Sequence, residues 1–156
     1  MSEVVALRRA LDVLEAQAGI DPHRIAYVGH DFGAMYGALL VAVDPRPRYA
    51  VFVAPGLSFW EWFLLGEKPA DPAAYLREMA PFDLPPWLGR AQVAGSLLQL
   101  GERDPYVAAS SAQVFFTSLP AHDRERKTYA TGHAVRDPAG HAAADRRAWL
   151  LSRLTR

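Results

Sequence analysis

The sequence predicts an α/β protein, with a mainly parallel sheet of about four strands flanked by helices. Three observations predict this class. Short apolar runs typical of buried strands alternate with longer segments of helical periodicity along the 156 residues. One predicted strand passes into a helix through a tight turn flanked by glycines. Acidic and basic side chains follow the ends of several predicted strands, where open parallel sheets place their functional sites.

The elements follow from hydrophobic periodicity and turn residues. Residues 2–18 form an amphipathic helix, with Ser2 as a possible N-cap and Gly19 as its stop. Residues 24–29 form an apolar strand, which we expect to be buried on both faces. The other predicted elements are helices over 33–43, 58–65, 72–79, 106–119 and 138–154, and strands over 49–54, 93–100 and 126–130.

The composition indicates one globular domain over residues 1–156, since 51% of the residues are hydrophobic and 22% are charged. Seventeen basic residues balance seventeen acidic ones, so the charge favours neither nucleic acid nor an anionic membrane as a partner. The absence of cysteine excludes disulfides, thiolate metal sites and a cysteine nucleophile. The N-terminus lacks the apolar core of a secretory signal, and no apolar run is long enough to span a bilayer. We therefore expect a cytoplasmic protein.

Residues 56–90 are predicted to form an aromatic-rich cap inserted between the second and third strands. Its aromatic side chains can pack as a satellite core, line an apolar substrate pocket above the sheet, or do both. The predicted substrate-binding residues are Phe59, Trp60, Trp62 and Phe63 from the cap and His30 from the end of the first strand.

The chain is organised around residues 24–34, which read Arg-Ile-Ala-Tyr-Val-Gly-His-Asp-Phe-Gly-Ala. A strand, a tight turn and a helix in this order are typical of a nucleophile elbow. Gly29 and Gly33 flank the turn, where a Cβ is expected to collide with the neighbouring strand or helix. The outward position holds Asp31. The stretch resembles the α/β-hydrolase superfamily and is most similar to its dienelactone-hydrolase-like branch, which implies a minimal α/β-hydrolase-like fold.

Two further residues continue the resemblance. Asp104 follows the third predicted strand and His133 the fourth, so nucleophile, acid and histidine occur in the order of the α/β-hydrolase fold. His133 is the predicted base because imidazole changes its protonation near neutral pH. Asp104 would accept a hydrogen bond from its Nδ1–H and fix the tautomer. His141, on the last helix, is an alternative base.

Three functions remain open. The resemblance implies a hydrolase acting on a small, mostly apolar, ester-type substrate through Asp31, Asp104 and His133. Hydrolases with this elbow usually carry serine, whereas aspartate is familiar from the epoxide-hydrolase and haloalkane-dehalogenase branches. In that alternative Asp31 displaces a leaving group at saturated carbon, and His133 activates water to hydrolyse the resulting ester. Phe32 stands where those branches often have tryptophan. The third possibility is an inactive scaffold that binds an apolar ligand or a partner chain.

Other sites are not indicated. No pair of histidines has the spacing and acidic partners of a metal site, and no glycine-rich phosphate loop is present, so neither a metal nor a cofactor is expected. A complete α/β-hydrolase has about eight strands, whereas this chain starts at the helix before the nucleophile strand. We therefore expect the N–H of Phe32 to be the remaining oxyanion donor. Strand 24–29 becomes a bare apolar edge, and we expect a homodimer that covers it.

Overall fold

The computed structural model describes residues 2–60, 69–120 and 122–155. Four parallel strands form one sheet in the order β1-β2-β3-β4, which confirms the predicted class. The strands are β1 (Ala26–His30), β2 (Tyr49–Val53), β3 (Gly95–Gly101) and β4 (Arg124–Tyr129). The helices are α1 (Ser2–Glu15), α2 (Phe32–Val43), α3 (Pro72–Met79), α4 (Leu84–Leu88), α5 (Ala109–Ser118) and α6 (His141–Leu154). Within these residues no helix is both long and apolar enough to cross a bilayer.

The alternation of side chains along β2 divides the core into two layers. Phe52 faces the layer that contains α2, α4 and α5, and it packs edge-on against Phe115. Val51 and Val53 face the opposite layer, where they join Trp149 of α6. Because successive residues of a strand point to opposite faces, the uniformly apolar sequence of β2 supplies both layers.

β1 lies at the edge of the sheet, and the expectation that this strand is buried on both faces is wrong. Its α2 face is covered, because the ring of Tyr27 packs against Gly37 so closely that a Cβ on Gly37 would overlap it. On the other face, Val28 is 45% exposed. α6 packs over β2 and β3 on that face, so the end of the sheet at β1 keeps an apolar residue in contact with water.

Local chemistry explains where several helices start and end. α1 ends three residues earlier than predicted, and the chain leaves it through a turn that places Gly19 at φ +89°. α6 begins at His141, three residues later than predicted, because both carboxylate oxygens of Asp137 bond to N–H groups of its first turn. Gly140, at φ +73°, completes this turn.

The described part of the cap contains α3 and α4. α3 matches the predicted helix, and Asp71 caps it by accepting a hydrogen bond from the N–H of Ala74 at 2.9 Å. α4 was not predicted, because its sequence begins Leu-Pro-Pro and prolines usually indicate a loop. Prolines are nevertheless tolerated in the first turn of a helix, where the N–H group has no partner within the helix. The predicted helix over 58–65 falls mostly outside the described residues.

A network of charged side chains anchors the C-terminus of α2. Asp44 directly follows α2, and its side chain is only 3% exposed. The guanidinium of Arg46 forms a bidentate pair with this carboxylate, with Nε 2.8 Å from Oδ1 and Nη2 2.7 Å from Oδ2. Arg8 of α1 adds a bond of 3.1 Å to Oδ2. The pKa of Asp44 is lowered to about 2, and the hydrogen bonds from the Arg46 side chain are the largest cause.

Candidate active site

The elbow between β1 and α2 places Asp31 at the carboxyl edge of the sheet. Asp31 has φ +55° and ψ −123°, a conformation that a residue with a side chain rarely adopts. Its N–H donates to the carbonyl of Val53 at 2.9 Å, and its carbonyl accepts from Ala34 and Met35 at 2.9 and 3.1 Å. A conformation of this kind costs about 1–3 kcal/mol. These three backbone bonds tie the strained residue to β2 and to the first turn of α2.

The two glycines of the elbow have different roles. A Cβ on Gly29 would overlap the backbone of Gly33 and Ala34, so the close approach of strand and helix requires glycine there. A Cβ on Gly33 would have nothing within 4 Å. The expectation that both positions exclude a side chain is therefore correct for Gly29 and wrong for Gly33.

The structure brings together the three residues predicted to carry the chemistry, and we call them the Asp–His–Asp cluster. His133 Nδ1 lies 2.8 Å from Asp104 Oδ2, and the Asp104 side chain is only 1% exposed. The other oxygen of Asp104 accepts the backbone N–H groups of Tyr106 and Val107 at 2.9 and 3.1 Å. Both oxygens are thus occupied, and the carboxylate fixes the proton on Nδ1 of the imidazole.

The opposite nitrogen of the same imidazole faces the elbow. His133 Nε2 lies 3.7 Å from Asp31 Oδ2, and the side chain of Asp31 is 29% exposed. The second oxygen, Asp31 Oδ1, is buried and has no hydrogen-bond partner among the described residues. With the proton of the imidazole on Nδ1, the nitrogen that faces the Asp31 carboxylate is the one able to accept a proton.

Two aromatic rings flank the imidazole of His133. The His30 ring lies 5.1 Å from it, and His30 Nε2 donates to the carbonyl of His133 at 3.0 Å. Because a carbonyl can only accept, this contact places a proton on Nε2 of His30. On another side, Tyr106 meets the His133 ring edge-on at 5.2 Å. Tyr106 was not among the predicted site residues, although it lies only two positions after Asp104 in the sequence.

The loop that carries His133 is held by a buried and strained residue, Val135. Val135 has φ +48° and is only 2% exposed, since its side chain packs into the α6 layer with Trp149. Its N–H donates to the carbonyl of Gly132 at 3.0 Å, which closes a tight turn around His133. A positive φ at a β-branched residue is a genuine outlier. No local sequence signal identifies this position, because valine in a loop predicts neither burial nor left-handed backbone.

The predicted aromatic pocket is described in part. Phe59 is buried and lies 5.0 Å from the ring of Tyr36 and 6.4 Å from that of Phe32, both on α2. Phe59 and Tyr36 also line a cavity of about 370 Å³ together with Phe82. Trp60 is half-buried next to Phe59. The other two predicted pocket residues, Trp62 and Phe63, lie outside the described residues.

Across the described ranges, no three His, Asp or Glu side chains are grouped so that they could hold a metal ion. His141, the alternative base, is 75% exposed and lies 3.4 Å from Asp137 at the start of α6. Phe32 is the first residue of α2. N–H groups in the first turn of a helix point out of its N-terminal end, which is the direction an oxyanion donor requires.

Comparison with known proteins shows the fold. No family model and no curated protein sequence matches the chain. Among solved structures it is similar to 2,6-dihydroxy-pseudo-oxynicotine hydrolase, with a TM-score of 0.79 and 17% identity over 97% of this chain and 46% of that one. It is also similar to an acetyl xylan esterase from Paenibacillus sp. R4, with a TM-score of 0.72 and 21% identity over 96% of this chain and 51% of the esterase.

A third similar structure is the esterase domain of a Rhodothermus marinus protein, with a TM-score of 0.70 and 16% identity over 94% of this chain and 67% of that one. These structures have the α/β-hydrolase fold, and the chain adopts a minimal form of it. The chain spans about half the length of the first two structures. The identities are low, so the comparison establishes the fold alone.

Proposed function

We propose that this protein is a hydrolase of small, mostly apolar substrates in which Asp31 is the nucleophile and His133 is the base. The observation that carries this proposal is the arrangement around one imidazole. His133 Nδ1 is held by Asp104 at 2.8 Å, while Nε2 faces Asp31 at 3.7 Å. A histidine fixed in this tautomer can take a proton through Nε2 at the place where Asp31 reacts.

The first step suits saturated carbon that bears a leaving group, as in an epoxide or an alkyl halide. A carboxylate needs no base to attack, unlike a serine hydroxyl. An oxygen of Asp31 forms a bond to the carbon, and the bond between this carbon and the leaving group breaks. A halide departs with the electron pair, whereas the oxygen of an epoxide keeps the electron pair, stays on the substrate and takes a proton from water. In both cases the substrate remains attached to Asp31 as an ester.

The second step hydrolyses this ester. A water molecule attacks the carboxyl carbon of Asp31 while His133 Nε2 takes one of its protons, and Asp104 stabilises the imidazolium. The N–H of Phe32 is the proposed donor to the oxyanion that forms. The tetrahedral intermediate then collapses, the alcohol leaves with the proton from His133, and Asp31 returns to the carboxylate with one oxygen derived from water.

Ester substrates are the second candidate, favoured by the similar structures that are esterases. Attack of Asp31 on an acyl carbon would give a mixed anhydride and release the alcohol. Water activated by His133 would then hydrolyse the anhydride. The same three residues serve both candidates, and the mass added to Asp31 distinguishes them because an alkyl group and an acyl group differ in mass.

The test is to trap the covalent intermediate. A His133→Ala variant is exposed briefly to small epoxides, alkyl halides and activated esters, and its intact mass is measured. We expect one added group on Asp31, because the variant can form the ester but cannot activate water. His141→Ala is the matched control, since His141 is exposed and paired with Asp137. It should turn over substrate without accumulating the adduct.

A second measurement follows the oxygen atoms. One turnover of the unmodified protein in water labelled with ¹⁸O should place the label in the Asp31 carboxylate, because water attacks the carboxyl carbon. Label found only in the product would overturn the role of Asp31 as nucleophile. Absence of both adduct and turnover, with His133→Ala still folded by circular dichroism, would instead support a scaffold that binds an apolar ligand or a partner chain.

We also propose that two copies of the chain associate through the open edge of β1. The N–H of Asp31 and the carbonyl of Ile25 bond toward β2. Since backbone groups alternate along a strand, those of Ala26, Val28 and His30 point away from β2. An edge with an exposed apolar residue such as Val28 is prone to strand pairing. A second copy would supply an identical edge.

The oligomeric state tests this proposal. Light scattering coupled to size-exclusion chromatography should give twice the mass of the chain, and Val28→Lys should give the single mass because a charge opposes edge pairing. Val114→Lys is a control, since Val114 is also exposed but lies on α5, the helix between β3 and β4, and β4 is at the other end of the sheet from β1. A monomer at all concentrations would overturn the proposal.

A further inference from the structure

The loop that carries His133 crosses the whole width of the sheet. It follows β4, whereas Asp31 follows β1, and β2 and β3 lie between these two strands. His30, the last residue of β1, contacts this loop at the far end of the sheet. Its Nε2–H donates to the carbonyl of His133 at 3.0 Å. This hydrogen bond therefore joins the strand before Asp31 to the backbone of the residue that supplies the base.

His30 lies on the face of β1 that α6 leaves uncovered. Side chains alternate along a strand, so His30 points to the same face as Val28, which is exposed. His30 is itself exposed, and burial does little to hold its side chain. Its hydrogen bond and its ring contact of 5.1 Å are both with His133. The side chain of His30 is thus directed at a single residue of the loop.

The other described contacts of this loop lie away from the elbow. Asp104, after β3, holds Nδ1 of the His133 imidazole at 2.8 Å, and the buried side chain of Val135 packs toward α6. Nε2 of His133 lies 3.7 Å from Asp31 Oδ2, which is longer than a hydrogen bond. The positions of the two backbones therefore set this distance, and the bond from His30 connects those backbones.

We propose that His30 is a positioning residue, which holds the loop so that Nε2 of His133 stays within reach of Asp31 and of the water that hydrolyses the ester. This inference rests on the proposed hydrolase function and adds a residue to its mechanism. His30 transfers no proton in this role, because its Nε2–H is engaged by the carbonyl of His133. The role differs from the substrate binding predicted for His30 from the sequence, and experiment can separate the two.

The two chemical steps depend on this contact to different degrees. Ester formation needs the carboxylate of Asp31 and no base. Ester hydrolysis needs His133 to take a proton from water, and this transfer requires a heavy-atom distance of about 2.6–3.2 Å. A displacement of about 1 Å can lower the rate of such a step about 100-fold. Loss of the bond from His30 should therefore slow hydrolysis and spare ester formation.

Single-turnover kinetics followed by intact mass provide the test. The probe is the epoxide or alkyl halide that labels Asp31 in His133→Ala. His30→Phe keeps an aromatic ring without the donor, and His30→Gln keeps an N–H near the position of Nε2. We expect His30→Phe to form the ester at the unmodified rate but to hydrolyse it at least about tenfold more slowly, so that the adduct accumulates. His30→Gln should restore hydrolysis to near the unmodified rate.

His122 provides the matched control. Its Nε2 donates to the carbonyl of Val93 at 2.9 Å, so His122→Phe removes the same kind of bond. These two residues precede β4 and β3, at the opposite edge of the sheet from the cluster, and both steps should be unchanged. Slower ester formation with a higher KM in His30→Phe would indicate substrate binding and overturn the proposal. Equal losses in His30→Gln or in His122→Phe would overturn it as well.

Hydrogen exchange tests the role of His30 without any substrate. The N–H of Val135 donates to the carbonyl of Gly132 and closes the turn around His133. It should exchange about fivefold or more faster in His30→Phe and at the unmodified rate in His122→Phe, because only the first variant releases the loop.

The two proposals can fail separately. Faster exchange in His30→Phe, without any adduct or turnover by the unmodified protein, would overturn the hydrolase and leave the positioning of the loop by His30 standing. Unchanged exchange together with unchanged ester hydrolysis in His30→Phe would overturn the role of His30 and leave the hydrolase standing.

Discussion

Replacing Arg46 with methionine tests how the charged network holds the C-terminus of α2, the helix that begins at the elbow. The side chain of Asp44 is almost fully buried, and Arg46 supplies both of its short hydrogen bonds, at 2.8 and 2.7 Å. In the variant only the longer bonds to Asp44 remain, from Arg8 at 3.1 Å and from the backbone N–H of Arg46 at 3.2 Å. Methionine keeps much of the apolar stem of arginine, so the loss is mainly electrostatic.

The size of the effect follows from the pKa of Asp44. A decrease from 3.8 to about 2, at about 1.4 kcal/mol per pH unit, corresponds to a free energy of about 2 kcal/mol. Removing one partner of a buried pair also leaves a charge without compensation. We therefore expect the free energy of unfolding at pH 7 to fall by about 2–3 kcal/mol. The pairs of Arg46 with Asp12 and Glu15 are more exposed and add little.

The lowered pKa of Asp44 determines the pH range in which its pair with Arg46 stabilises the fold. The folded-state pKa of Asp44 lies below the unfolded value, so the stabilisation is present above about pH 4 and is lost as the pH falls toward 2. Urea unfolding followed by circular dichroism at several pH values should show the unmodified protein and Arg46→Met differing most at neutral pH and converging in acid. Arg48→Met is a control at an exposed arginine. A difference that does not change with pH, or an equal effect of Arg48→Met, would refute the reasoning.

Three further predictions concern the elbow and the Asp–His–Asp cluster. Asp104→Asn should lower turnover by up to about 10⁴-fold, because an amide donor facing Nδ1 favours the other tautomer of His133. The downfield NMR signal of the His133 Nδ1–H proton should disappear, and an unchanged signal would contradict the prediction. Gly29→Ala should cost about 2 kcal/mol or more and Gly33→Ala less than about 0.5, measured by urea unfolding, since only the first Cβ meets backbone atoms. Asp31→Gly should be about 1 kcal/mol more stable than Asp31→Ala, because glycine adopts φ +55° without strain; equal stabilities would show that the elbow is not strained.

The features predicted correctly from the sequence are those that depend on local chemistry. The turn at Gly29 was predictable because an apolar run that ends in a glycine-flanked polar residue and continues as a helix has few structural solutions. The α/β class followed from the alternation of strands and helices, as in the apolar runs that became β2 and β3. The proximity of Asp104 and His133 was predictable because each follows a strand, and parallel strands bring their carboxyl ends to one edge.

The features that were missed depend on contacts between distant segments. Val28 was expected to be buried because it is apolar, but its exposure is decided by where α6 crosses the sheet. Val135 lies in the core only because Trp149 and Val53, far away in the chain, surround it. His30 ends the first strand and His133 follows the last, and nothing in their separate sequence contexts shows that they share a hydrogen bond. Tertiary packing determines the burial and the neighbours of these residues, and local periodicity in the sequence does not predict them.

Two of the four non-glycine residues with positive φ in the described ranges lie at the two sides of the Asp–His–Asp cluster. Asp31 and Val135 both have positive φ, one at the elbow and the other two residues after His133. Glycine would remove the strain at either position at little steric cost, so a side chain there must contribute something that glycine cannot. Val135 contributes burial, which fixes the loop that carries His133. Asp31 is 29% exposed and faces His133, so its contribution is not packing. An exposed, strained carboxylate facing the imidazole agrees with the proposed role of Asp31 as the nucleophile.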